Sequence, residues 1–191
     1  MRRHPRERGF TLIELLITVT VLALVLMLGL PNLSAWLQNT QIRNSAEAAV
    51  SGLQYARTEA LRRNRQVRFN VVDTLDAACN LIATGGSWVV SMADPTGKCD
   101  AVPTDTADPF ILQKRSGEEG TQSVAVSASA SSVFFNGLGS ASAPIQFAVS
   151  NPSGGTCQPG GQMRCLQIDV SASGSVRMCD PAADAADPRK C

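Results

Sequence analysis

An apolar run from Phe10 to Leu30, ending at Pro31, constrains this chain more than any other feature. As a helix rising about 1.5 Å per residue it is roughly 31 Å long, the thickness of a bilayer's hydrocarbon core. The run carries one charge, Glu14. An ionised carboxylate inside a membrane costs about 2.5–3.5 kcal/mol on insertion scales, so Glu14 is expected to have a partner. Arg2, Arg3, Arg6 and Arg8 precede the run, and no comparable basic cluster follows it closely. The N-terminus is therefore expected to stay cytoplasmic and the C-terminal part to face outward. A secretory signal peptide has the same basic start and apolar centre, but this run is too long, and Pro31-Asn32-Leu33 supplies no small-x-small cleavage site. Residues 10–30 are expected to remain as a single-pass transmembrane helix.

The first residues of the run carry a resemblance. A short basic leader ending in Gly9, followed by Phe10-Thr11-Leu12-Ile13-Glu14-Leu15-Leu16, resembles the class III signal of type IV prepilins and pseudopilins. The resemblance implies that residues 1–9 are a leader, that a membrane-embedded prepilin peptidase cuts between Gly9 and Phe10, and that the new amine of Phe10 is methylated. It also places Glu14 fifth in the mature chain and Pro31 twenty-second, where the family has its signature Glu and a frequent Pro.

Beyond residue 70 there are seven basic against twelve acidic residues, so the outer part carries about −5. Broad nucleic-acid binding draws on clustered positive charge and is disfavoured there. Cys79, Cys99, Cys157, Cys165, Cys179 and Cys191 all follow the apolar run, an even number in what is expected to be an oxidising periplasm. Six thiols allow 15 connectivities. Each successive pair brackets a loop-like stretch, which favours 79 with 99, 157 with 165 and 179 with 191. No C-x-x-C pair is present and the single histidine, His4, lies in the leader, so no metal site and no cofactor are expected. A processed chain without histidine has no His general base and no Ser-His-Asp or Cys-His arrangement, which excludes most hydrolase chemistry and leaves no small-molecule substrate in view.

From Asn32 to Arg63 the pattern stays helical. Ala46, Ala49, Val50, Leu53, Ala56 and Ala60 recur at steps of three and four, with Gln54, Arg57, Arg62 and Arg63 elsewhere. Residues 31–64 are thus expected to continue the anchor as an amphipathic helix, bent or softened where Pro31 lacks its amide hydrogen. Arg57, Arg62, Arg63, Arg65 and Arg68 gather near its end. They are expected to complement the helix C-terminus and lay their stems over a sheet, or else to meet an acidic neighbouring subunit.

After Arg65 the period changes to two. Val67, Phe69 and Val71 alternate with Arg68 and Asn70, and further strands are expected at 88–92, 110–113, 124–126, 133–136, 145–149, 166–170 and 175–178. The last two form a hairpin around Ser171 to Gly174. Stretches 93–109, 150–162 and 180–190 read as exposed loops, and 127–132, rich in Ser and Ala, as an edge or a loop. Asp180, Asp184 and Asp187 lack the spacing of a calcium loop and are expected to belong to a solvated tail.

A second resemblance is carried by Leu53-Gln54-Tyr55-Ala56-Arg57-Thr58-Glu59-Ala60-Leu61-Arg62-Arg63-Asn64, then Ser87-Trp88-Val89-Val90, Phe135-Asn136-Gly137-Leu138-Gly139 and Gly174-Ser175-Val176-Arg177. In this order they resemble the FimT/FimU and GspH group of minor pilins and pseudopilins. This implies an α+β, type IV pilin-like fold: a long N-terminal helix, its first half transmembrane, packed on antiparallel β-sheets, with residues 65–191 as a periplasmic globular domain. It implies a non-enzymatic protein of the inner membrane and of filaments, a minor pilin that inserts into or primes a type IV pilus. Its partners would be prepilin peptidase and other pilins or pseudopilins, with the Phe10 amine and Glu14 of adjacent subunits as an ion pair that sets register. The alternative is a GspH-type pseudopilin of a type II secretion system. A DNA-binding pilin is a third reading, but its G-R-x-R pattern is here Gly174-Ser175-Val176-Arg177, with Ser175 in place of the first Arg, so DNA is not an expected partner.

Overall fold

The structure, a computed structural model, describes residues 10–119 and 123–191, without the side chains of 28–32. The leader, with Gly9 and His4, lies outside the described residues. The chain divides into two compact units, Met1–Trp36 and Leu37–Cys191. One helix, α1, Leu12–Arg63, runs through both and is assigned without a break at Pro31.

In the second unit α1 is followed by β1 (Val67–Val72), β2 (Thr84–Gly85), β3 (Ser87–Ser91), β4 (Ile111–Arg115), β5 (Ala125–Ala128), β6 (Ser132–Phe135), β7 (Ile145–Ser150), β8 (Leu166–Val170) and β9 (Val176–Cys179). They form two antiparallel sheets, β4-β3-β1-β6 and β2-β5-β7-β8-β9. The class is α+β, a long helix with antiparallel sheets, as expected.

The helix face read from the spacing is the buried one: Ala46, Ala49, Leu53, Ala56 and Ala60 are in the core, joined by Ile42. Mostly alanines, they let the helix backbone come close to the aromatic cluster, where Phe69 lies 5.2 Å from Trp88 and 5.8 Å edge-on from Phe147. Gly52 marks the closest approach, since a Cβ there would sit 2.8 Å from the Trp88 ring and 2.9 Å from Phe69. Large side chains from both sheets, among them Val90, Phe135 and Ile168, complete this core.

The first sheet is covered on its other face as well. Val72, Val89 and Ile111 pack there with the Cys79–Cys99 disulfide. For this reason Asn70, read as solvent-facing, is buried. Its Nδ2 donates to the Val89 carbonyl (3.2 Å) and to Ser91 Oγ (3.1 Å), and its Oδ1 accepts from Ser132 Oγ (2.8 Å). A buried amide satisfied on both ends costs little, whereas an unsatisfied one costs about 1–3 kcal/mol.

The structure also joins Cys157 to Cys165 and Cys179 to Cys191. The last disulfide corrects the solvated tail. Asp180 is only 3% exposed and accepts from Arg164 Nε at 2.7 Å, while its amide donates to the Arg189 carbonyl. Asp180 also bridges Lys190, so the tail returns to the C-terminal end of β9. The Ser/Ala stretch is corrected in part: Ser127 and Ala128 belong to β5 and Ser132 to β6. The small outward side chains are tolerated because Val126 supplies the core contact. The hairpin of β8 and β9 closes as read, with Ser171 N bonded to Ser175 O at 3.0 Å.

Gly52→Ala tests the close packing of helix on sheet. Helix propensity alone favours Ala by about 1 kcal/mol. Overpacking against the buried rings costs about 1–3 kcal/mol and is expected to win, giving a net loss of about 1 kcal/mol in urea unfolding of the detergent-solubilised full chain. A stabilised variant would show that the helix does not approach the rings this closely.

Candidate functional site

Of the expected assembly residues, Glu14 lies in the first turn of α1 and Pro31 inside the helix. Thr11 precedes the first helical residue, and its Oγ1 accepts the Glu14 amide at 3.3 Å, while its carbonyl accepts from the amides of Glu14 and Leu15, each at 3.1 Å. Thr11 is thus an N-cap and Glu14 the third helical position, a Thr-x-x-Glu pattern that marks a helix start and that the sequence reading did not use. The cap satisfies an amide that the first helical turn leaves without a partner of its own. It also sets the Glu14 carboxylate in the first turn, where the positive end of the helix dipole favours a negative charge. Glu14 is exposed, so a second chain can reach it. Further along, Thr18 and Thr20 donate their hydroxyls to the carbonyls of Leu15 and Ile17, both at 2.8 Å. Such back-bonding satisfies a hydroxyl without water.

Among the described residues no helix is long and apolar enough to cross a membrane. The described side chains of the run stop at Met27, so the span over residues 10–30 stands on the sequence.

Near the other end of α1 the five arginines do not form one group. Arg57 Nε donates to the Gly139 carbonyl at 3.0 Å. Gly139 in turn lies against Gly174, which has a φ of +77°, and a Cβ at Gly174 would overlap the Gly139 carbonyl oxygen. Three stretches quoted separately from the sequence, around Arg57, Gly139 and Gly174, therefore meet at one junction, where the helix holds the β6–β7 turn against the β8–β9 hairpin. Arg62 and Arg63 both turn to Glu59, with contacts of 2.6 and 2.7 Å, and Arg63 also reaches Asp105 at 3.1 Å. The acidic partner of this helix end thus comes from the same chain. Arg68 lays its guanidinium over Phe134, 4.6 Å from the ring centre, and its buried Nε has no hydrogen-bond partner among the described residues. Arg65 is exposed.

Near the C-terminal hairpin the cations are also engaged. Arg177 donates to the carbonyls of Pro188 (3.2 Å) and Lys190 (2.6 Å), and Arg189 pairs with Asp187, whose carboxyl is pulled down to about 2 chiefly by that hydrogen bond. These contacts leave little of a free basic surface for phosphates.

Residues 45–174 match the family model described as type II transport protein GspH, and residues 4–30 match the prokaryotic N-terminal methylation motif. Among solved structures, the chain is similar to the type IV minor pilin FimU of Pseudomonas aeruginosa PAO1. In one crystal form the identity is 18%, over 71% of this chain and 90% of that one, with a TM-score of 0.46. In another it is 17%, over 73% and 88%, with a TM-score of 0.48. The minor pseudopilin EpsH from the Type 2 Secretion System of Vibrio cholerae is similar at 12% identity, over 75% of this chain and 99% of that one, with a TM-score of 0.46. No curated protein sequence matches the chain.

The Glu59 cluster predicts an acid response. Hydrogen bonds from Arg62 first, and then from Arg63, hold the Glu59 carboxyl below its ordinary value of 4.5, against burial, which raises it. A lowered folded value means that this stabilisation is complete above the ordinary value and is lost as pH falls through it toward the lower folded one. Glu59→Gln is expected to cost about 1–2 kcal/mol near neutral pH, less than a fully buried pair because Arg62 is largely exposed. It is also expected to reduce the loss of stability as pH falls through and below the ordinary value of 4.5. Urea unfolding across that range checks it, and an unchanged acid slope would show that Glu59 is not the group responsible.

Proposed function

Because the chain belongs to the GspH family of type II transport proteins and carries the prokaryotic N-terminal methylation motif, we propose that it is a minor pilin that enters or primes a type IV pilus. It waits in the inner membrane on residues 10–30, with its N-terminus cytoplasmic and residues 65–191 in the periplasm. Prepilin peptidase removes residues 1–9 between Gly9 and Phe10, and the amine of Phe10 is methylated. The protein is structural, without a catalytic site, a metal or a cofactor, and it works through contacts with other pilins.

The observation that carries the reading is the placing of Glu14: one carboxylate, in the first turn of a capped helix, at the head of an apolar run. In a low-dielectric filament core it pairs with the Phe10 amine of an adjacent subunit. An axial slip leaves both charges unpaired, and breaking a buried pair by removing one member costs about 3–5 kcal/mol, so the pair selects the register. Pro31, at the end of the run, supplies a point where α1 lacks one backbone donor.

A second reading is favoured by the family's own description as type II transport: a GspH-type pseudopilin of a type II secretion system, with the same anchor and sheets. Recovery of the protein in sheared pili supports the first reading, and recovery in a secretion complex supports the second. DNA binding is disfavoured by the acidic outer part and by the engagement of Arg177 and Arg189 within the chain.

Glu14→Ala is expected to leave membrane abundance unchanged or raised, because an insertion cost of about 2.5–3.5 kcal/mol disappears. Its share in sheared filaments is expected to fall at least tenfold, the effect of losing about 1.4 kcal/mol or more of the pair. Comparing inner-membrane and filament fractions of wild type, Glu14→Ala and Glu14→Asp checks this. Equal incorporation of all three would remove Glu14 from the register role.

A further inference from the structure

The chain has two tryptophans, and they are placed in opposite ways. Trp88 is 5% exposed and stacks on Phe69 in the core. Trp36 is 62% exposed on α1, three residues after Leu33, which is 51% exposed on the same helix face. Neither Trp36 nor Leu33 belongs to a core cluster, so the core does not account for a large aromatic there. We propose that Trp36 is an interfacial anchor, seated among the headgroups and ester carbonyls of the outer leaflet of the membrane that holds the chain. The inference rests on the membrane reading proposed above.

Position along the helix argues for a lipid surface. Trp36 lies six residues past Leu30, about 9 Å of rise. The polar zone on each side of the hydrocarbon core is roughly 5–8 Å deep. Helical side chains lean toward the N-terminus, here toward the bilayer, so the indole falls within that zone. An indole suits it because the ring is apolar and amphipathic, the kind of side chain enriched at headgroup level.

Charge argues the same way. No charged residue occurs between Glu14 and Arg43, so no Lys or Arg is available to mark the outer boundary by snorkelling. On the inner side Arg2, Arg3, Arg6 and Arg8 hold the depth, but the proposed processing removes all four. Trp36 is then the interfacial residue type left to fix how far the helix stands in the membrane, and thus to keep the Phe10 amine and Glu14 at a constant depth until a filament takes the subunit up.

The test uses the full chain carrying Trp88→Phe, which leaves Trp36 as the single tryptophan. The protein is reconstituted in phosphatidylethanolamine and phosphatidylglycerol vesicles containing a phosphatidylcholine brominated either near the top of its acyl chains or near their ends. Trp36 fluorescence is expected to be quenched roughly twofold more, or better, by the shallow bromines than by the deep ones. Protein that resists alkaline carbonate extraction but shows no quenching by either lipid would overturn the inference, leave the anchor in place and assign Trp36 to a protein contact. Equal or stronger quenching by the deep bromines would overturn it as well, by placing the ring in the hydrocarbon. Release by carbonate would instead overturn the membrane reading on which it rests. If Trp88→Phe disturbs the core, the difference between wild type and Trp36→Phe isolates the same signal.

Discussion

The rest of this chain depends on one helix whose two halves carry different faces. Its first half presents uncharged, mostly apolar side chains, with backbone groups bonded within the helix and Thr18 and Thr20 folded back on their own carbonyls. Such a segment leaves nothing for water to satisfy. Its second half presents alanines on one side and polar residues on the other, which suits a sheet and solvent. The exception to the apolar rule is Glu14, which the Thr11 cap sets in the first turn, where the helix dipole favours a negative charge.

The outer domain follows from the second half of the helix. Alanines and Gly52 bring the helix backbone down onto Phe69, Trp88 and Phe147, and the two sheets share that core. Arg57 ties the helix to the β6–β7 turn, and that turn is set against the β8–β9 hairpin through Gly139 and Gly174. Loops too poor in apolar residues to form cores of their own are held by the three disulfides. The last of these also ties the tail to the end of β9.

Local features were legible in the sequence because they are periodic: the helix face from Ala46 to Ala60, the alternation of Val67, Phe69 and Val71, the C-terminal hairpin and the spacing of the cysteines. Non-local features were not. Asn70 reads as outward until a loop stapled by Cys79 and Cys99 covers that face, and Asp180 reads as solvated until Arg164 reaches it. Thr84–Gly85 is too short for any period. The Arg57, Gly139 and Gly174 junction was present as three motifs, but their meeting is a property of the sheet order. The Thr11 cap was legible as Thr-x-x-Glu and was overlooked beside the stronger apolar signal.

The central claim is that the working chain begins at a methylated Phe10, two residues before α1 opens at Leu12 behind its Thr11 cap. Intact-mass spectrometry of the protein extracted from membranes of wild type and of Gly9→Val cells tests this most directly. The account predicts a wild-type mass fitting a chain that starts at N-methylated Phe10, and an uncut, unmethylated Gly9→Val chain. A wild-type protein that keeps residues 1–9, or that is cut at another site, would contradict it.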